Sequence, residues 1–144
     1  SDRRVPFIPP DDVAFIDFFV PHHRAAIAMA DEVLARGQDA AVLALARRIR
    51  DTQTAELAEM RAARAELTGS SETPEPPPDA HLQADLSLMR SLSGTALDQQ
   101  FLDDMIPHHA TGIPPAHRAL GALRRADMRR LAQSIVETQA REIG

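Results

Sequence analysis

The residues best equipped for chemistry in this chain come in matched sets. His22 and His23 stand together in "FVPHHRAAI", and His108 and His109 in "MIPHHATGI". About 30 residues after each pair comes a Gln-x-x-Glu: Gln53 with Glu56, and Gln139 with Glu142. Imidazole offers a neutral nitrogen lone pair near pH 7 and carboxylate a negative oxygen, so a converging set suits copper, zinc or iron. The same groups can instead satisfy one another as a buried hydrogen-bond layer. Other chemistries find little support. The 144 residues include no cysteine, tryptophan or tyrosine, which removes disulfides, thiolate metal sites, thiol nucleophiles and tyrosyl chemistry. No phosphate-binding loop or nucleophile motif is present, so no enzymatic activity is expected.

The matched sets belong to a longer internal repeat. At an offset of 86 residues, Phe15-Ile16-Asp17 corresponds to Phe101-Leu102-Asp103, Pro21 to Pro107 and Ile27 to Ile113. The same offset carries Leu45-Ala46, Ile49, Thr52-Gln53 and Glu56 onto Leu131-Ala132, Ile135, Thr138-Gln139 and Glu142 without a gap. The chain therefore reads as one unit written twice.

Each unit must be a helical hairpin. Ala46, Ile49, Gln53, Glu56, Met60, Ala63 and Leu67 recur at steps of three and four, the seam of a packed helix. A first helix is expected from Asp11 or Asp12 to about Arg36, kinked at Pro21, with Asp39 capping the second after a turn at Gly37. The stretch "TGSSETPEPPPD", residues 68–79, is an exposed linker, and a short helix follows over "HLQADLSLMRSL". A third long helix is expected over about Ala96 to Thr111, disturbed by Gly112, Pro114 and Pro115. A fourth should run from about Ala126 to the end. The expectation is all-α: a single domain over 1–144, an antiparallel four-helix bundle built from two duplicated hairpins, about 11–67 and 80–144.

A turn near Gly37–Gln38 puts residues whose numbers sum to about 75 or 76 at one height in an antiparallel hairpin. His22 and His23 then face the Gln-x-x-Glu that begins at Gln53, and a second turn near Leu123–Arg124 sets His108 and His109 opposite the one that begins at Gln139. His22 shares a stripe with Phe15, Phe19, Ala26 and Met29; His23 shares one with Ile16, Phe19, Ala26 and Ala30. Both histidines flank the buried face. A charged Glu56 in that seam would cost several kcal/mol unless paired. Two readings follow. Either the polar layer merely fixes helix register in a structural or interaction module, with Glu56 accepting from an imidazole, or His22, His23, His108 and His109 hold a metal, with Glu56 and Glu142 as further ligands or as acceptors behind the rings, while Gln53 and Gln139 orient the rings. Asp17 and Asp103 sit well round the helix from the histidines and read as outward charges; Met60, Met89 and Met128 read as core fillers. His81, bordering the linker, and His117 are given no site role.

Charge narrows the partners. With 16 basic and 21 acidic residues the net charge is −5, against a nucleic-acid partner. No apolar run approaches the roughly 18 residues of a membrane span. No signal peptide is expected in "SDRRVPFIPP", which has no apolar middle region.

"FIDFFVPHHRAAIAMA" and "FLDDMIPHHATGI", each followed by "LARRIRDTQTAEL" or "LAQSIVETQAREI", resemble the bacterial "domain of unknown function 305" family. "LMRSLSGTALDQQFLDDMIPHH" is similar to the family's lead-in to the second motif. The resemblance implies a ferritin-like bundle, usually secreted, periplasmic or otherwise at the cell envelope, with copper binding through Met and His in some members. Met29 and Met105 match methionines common in the family motif. Pro115 stands where the repeat has Met29, and Phe19 where it has Met105, which implies a site with fewer thioethers and more imidazole and carboxylate. Glu142, two residues from the chain end, is expected to be the less ordered of the two carboxylates.

Overall fold

The structure, a computed structural model, describes residues 11–143. Five helices account for the fold: α1 (Asp12–Arg36), α2 (Ala40–Thr68), α3 (Ala80–Arg90), α4 (Gly94–Ala119) and α5 (Ala126–Ile143). No strand occurs among the described residues. α1 packs against α2 and α4 against α5, forming two hairpins that meet along α1 and α4; α3 lies against both of those helices.

The local signals operate as expected at the helix starts. Asp11, Asp39 and Asp79 each accept a backbone N–H three residues on, from Ala14, Val42 and Leu82, at 2.8, 3.0 and 3.0 Å. α2 ends on Gly69, whose φ of 87° is the left-handed conformation that glycine adopts at no cost.

Two buried carboxylates then tie the hairpins together. Asp98 on α4 accepts from Gln38 N and Asp39 N in the α1–α2 turn, the latter at 2.8 Å. Asp12 on α1 accepts from Arg124 N and Arg125 N in the α4–α5 turn, both at 2.8 Å. These are the same contacts displaced by 86 residues, so each hairpin's first helix clasps the other's turn. Gly37 makes one clasp possible, because a Cβ there would overlap the Asp98 carboxylate and Val33. Asp17 is not a free outward charge: Arg64 on α2 donates to it at 2.7 Å.

α4 runs further than the sequence suggests. It passes Gly112, Pro114 and Pro115 and ends at Ala119. The prolines remove the amides that would bond the carbonyls of Ala110 and Thr111, two exposed residues whose carbonyls solvent can take. Pro115, Ala116 and Ala119 are buried, and that packing offsets the lost backbone bonds. α1 likewise continues through Pro21.

The interior is two apolar clusters. One gathers Phe15, Phe19, Met60, Met128 and Ile135; the other gathers Met29, Val33, Ile49, Met89 and Phe101. Along α1, α2 and α4 the His, Gln and Glu positions fall between them. The polar layer is therefore a seam across an oily core.

Candidate functional site

Each Gln-x-x-Glu faces its histidine pair as the spacing suggested, and within it Glu56 and Glu142 make the contacts. His23, fully buried, donates from Nε2 to Glu56 Oε1 at 2.6 Å, and buried His109 donates from Nε2 to Glu142 Oε1 at 2.7 Å. The reason lies in helix geometry: side chains lean toward their helix N-terminus, so a glutamate one turn beyond Gln53 reaches back to the histidine's height.

His22 and His108 meet across α1 and α4 instead. Their rings stack with centroids 4.0 Å apart and planes 14° from parallel. Each donates from Nε2 to the other's backbone carbonyl, His22 at 3.1 Å and His108 at 2.9 Å. Thr111 Oγ1 donates to the His108 carbonyl at 2.7 Å and also lies 3.2 Å from His22 Nε2, where it accepts. The four rings thus all carry hydrogen on Nε2, facing a fixed oxygen.

That leaves Nδ1. The Nδ1 atoms of His22, His23 and His109 are buried and have no partner among the described residues; nor do Gln53 Oε1 and both amide atoms of Gln139. An orphaned buried polar atom costs about 1–3 kcal/mol, and native proteins hold few of them. Here they gather in one layer. Gln53 and Gln139 therefore do not orient the imidazoles, as the spacing suggested; the glutamates and backbone carbonyls do. A ring whose far nitrogen donates to a carboxylate or carbonyl is oriented and made more basic at its near nitrogen, as metal-ligating histidines are. The donor set thus fits a metal ion, although no three His, Asp or Glu side chains among the described residues are already gathered to hold one.

Electrostatics keep the stacked pair neutral. Burial holds the His22 imidazole well below its ordinary 6.5, helped by the charges of His108 and His23. Burial also pushes His108 down to about 4, against the opposing hydrogen bond to the His22 carbonyl. The unfolded chain therefore binds more protons than the folded one below about pH 6.5. The stability these rings confer is complete above that pH and is lost as pH falls toward about 4. Urea midpoints taken at about pH 7, 5.5 and 4.5 are expected to decline in that order. A flat profile would exclude neutral buried rings.

The remaining predicted residues divide. Met29 is buried and lines a cavity of about 330 Å³ together with His108 and Thr111. Met105 is buried in the apolar cluster that contains Phe101. Met60, Met89 and Met128 are fully buried core, while the His81 side chain is 90% exposed. One residue passed over in the sequence belongs to the site. A Cβ on Gly112 would stand 2.9 Å from His22 Cε1 and 3.0 Å from Gln139 Oε1. The signal was available, because the repeat sets this mid-helix glycine opposite Ala26.

Solvent approaches the layer from two sides. A cavity of about 710 Å³ lies between the linker prolines and the His22–His108 pair. On the opposite side, hollows between α2 and α5 are walled by Glu142 and by Glu56.

Known proteins share this fold. The model of a family described as a domain of unknown function (DUF305) matches residues 12–144. The structure of CopM in its Cu(II)-bound form superposes with a TM-score of 0.81 at 27% identity, over 92% of this chain and 90% of that one. CopM is also known in Cu(I)-bound and silver-bound forms. A DUF305 fragment from Deinococcus radiodurans gives 0.80 at 28% identity, over 99% and 93% of the two chains. A DUF305 protein of Streptomyces coelicolor, described as secreted, gives 0.78 at 25% identity, over 93% and 87%. No functionally curated protein matches the sequence significantly.

Proposed function

The chain belongs to the DUF305 family, and from that premise we propose that it is an exported copper-binding protein, a carrier or store rather than an enzyme. The observation that carries the reading is the set of buried, unpartnered Nδ1 atoms on rings whose Nε2–H groups are already committed. His22, His23 and His109 would hold the ion through Nδ1, with His108 stacked beside them. Glu56 and Glu142 hold rings rather than metal. Met29 beside His108 adds one thioether to a set dominated by nitrogen, a mixture that suits copper in either oxidation state. The ion is cargo and supplies no chemistry to a reaction.

Support from relatives is of the same kind: CopM is known with Cu(I), Cu(II) and silver bound. Export rests on the Streptomyces coelicolor relative described as secreted. No helix among the described residues is long and apolar enough to cross a membrane.

The competing reading, a layer that only sets helix register, draws on the lack of a preassembled group of three ligands. Titration separates the two. Metal-free protein is expected to bind Cu(II) and Ag(I) at micromolar or lower concentrations. At a free-ion concentration about 100 times Kd, its unfolding free energy should rise by about 2.7 kcal/mol. Binding no tighter than that of a few exposed histidines, with no stabilisation, leaves only the register layer.

A further inference from the structure

The stretch between α2 and α3 does not pack down onto the core. Pro74, Pro76, Pro77 and Pro78 stand off from α1 and α4 across a cavity of about 710 Å³, whose inner wall includes Phe18, Pro21, His22 and His108. Prolines this dense give a stiff, extended backbone without amide donors. From Thr73 to Pro78 the backbone makes no hydrogen bond to another described residue. The strap is therefore held at its ends. At the α3 end the Asp79 side chain accepts the Leu82 amide at 3.0 Å. At the α2 end a single guanidinium makes the tie. Arg64 donates from Nε to Asp17 Oδ1 on α1 at 2.7 Å and from Nη1 to the Ser70 carbonyl at 2.9 Å. The Arg64 and Asp17 side chains are only 12% and 25% exposed, so solvent screens the pair weakly. In the second hairpin Asp103, the counterpart of Asp17, accepts instead from Gln99 on its own helix. The strap's seat also carries a cost, because Thr73 Oγ1 is buried without a partner among the described residues. A stiff segment anchored only at its ends, in a seat with a cost, lifts as a unit when one end is released.

We propose that residues 70–79 are a gate over the His22–His108 pair and that the Arg64–Asp17 pair is its latch. Releasing the latch lets the strap lift from α1 and widens the cavity through which small solutes reach the two stacked rings. His23 and His109 lie outside its reach, since the glutamates that hold them face the hollows between α2 and α5. The gate acts on any small solute, so it stands or falls apart from the copper reading.

Diethyl pyrocarbonate, a small reagent that acylates neutral imidazole, is the probe. The parent, Arg64→Ala and Asp17→Asn are compared at about pH 7, above the ordinary imidazole pKa. Fragmentation mass spectrometry reads each site and separates adjacent histidines. Expected at His22 and His108 is a rate increase of at least about 5-fold in Arg64→Ala and about 3-fold in Asp17→Asn, whose amide oxygen keeps one bond. His23, His109 and the exposed His81 should stay within about 2-fold of the parent. Unchanged rates at His22 and His108 in a folded Arg64→Ala protein overturn the proposal. So does a parallel rise at all four paired rings, which reports general loosening by a lost ion pair. Parent rates at His22 and His108 equal to that of His81 overturn it as well, because nothing is then gated. Asp17→Asn preserves the shape of its side chain and decides the matter if Arg64→Ala does not fold.

Discussion

On the metal-binding proposal, a His22→Ala, His108→Ala double variant is expected to bind copper about 100-fold more weakly than the parent, a larger loss than removal of a supporting group typically causes. The rings are stacked at 4.0 Å, while the carbonyl to which each donates belongs to the backbone and survives truncation, so a single change takes only the stacking partner from the surviving ring. The double change deletes both the proposed ligand and its support. Folding should survive it. In an α-helix the His22 and His108 carbonyls keep their own bonds to the amides four residues on, so no backbone group is orphaned. The buried unpartnered Nδ1 of His22 disappears as well, which recovers part of the lost packing. Affinity is read by competition against a chelator of known strength, and folding by circular dichroism. Undiminished affinity in a folded double variant would move the site elsewhere in the molecule.

Asp98→Ala acts on stability and spares the seam. Its carboxylate is 4% exposed and accepts from two consecutive backbone amides of the α1–α2 turn. Truncation strands both donors in a buried place and removes charge-assisted bonds, a loss of about 3 kcal/mol. That is a large share of the 5–15 kcal/mol typical of a domain. Asp12→Ala should cost a similar amount, because Asp12 makes the equivalent bonds to Arg124 and Arg125. Urea unfolding measures both. Asn at either position should recover part of the loss, since its side-chain oxygen still accepts one amide. If neither alanine variant loses more than about 1 kcal/mol, the clasps do not hold the hairpins together.

Much of this architecture was readable from the chain. Apolar spacing at three and four residues marked the helices, and Asp39 and Gly37 marked the first turn correctly. Where the reading failed, a local rule met a tertiary contact. Pro114 and Pro115 looked like the end of a helix because sequence shows the lost amides and hides the buried surface gained by Ala116 and Ala119. The Gln-x-x-Glu was rightly set opposite the histidines, but the ring-orienting role given to Gln53 and Gln139 was not met, because side chains lean toward the helix N-terminus and bring Glu56, one turn on, to His23. Asp12 looked like a helix-start residue and Asp98 drew no reading, since nothing near them in sequence reveals that their partners lie on the other hairpin.

The chain alone determined that there are two hairpins, that they are versions of one unit, and that each sets imidazoles and a carboxylate at nearly the same depth. Those features follow from periodicity and turn length, which act over a few residues. Only the tertiary structure decided which nitrogen of each ring is committed and which oxygen commits it, a carboxylate for His23 and His109 and a backbone carbonyl for His22 and His108. For His22 and His108 this depends on how α1 lies against α4, through contacts between residues 86 apart, and for His23 and His109 on how each hairpin closes. No local pattern encodes such a contact, because its energy appears only when two separately formed helices meet.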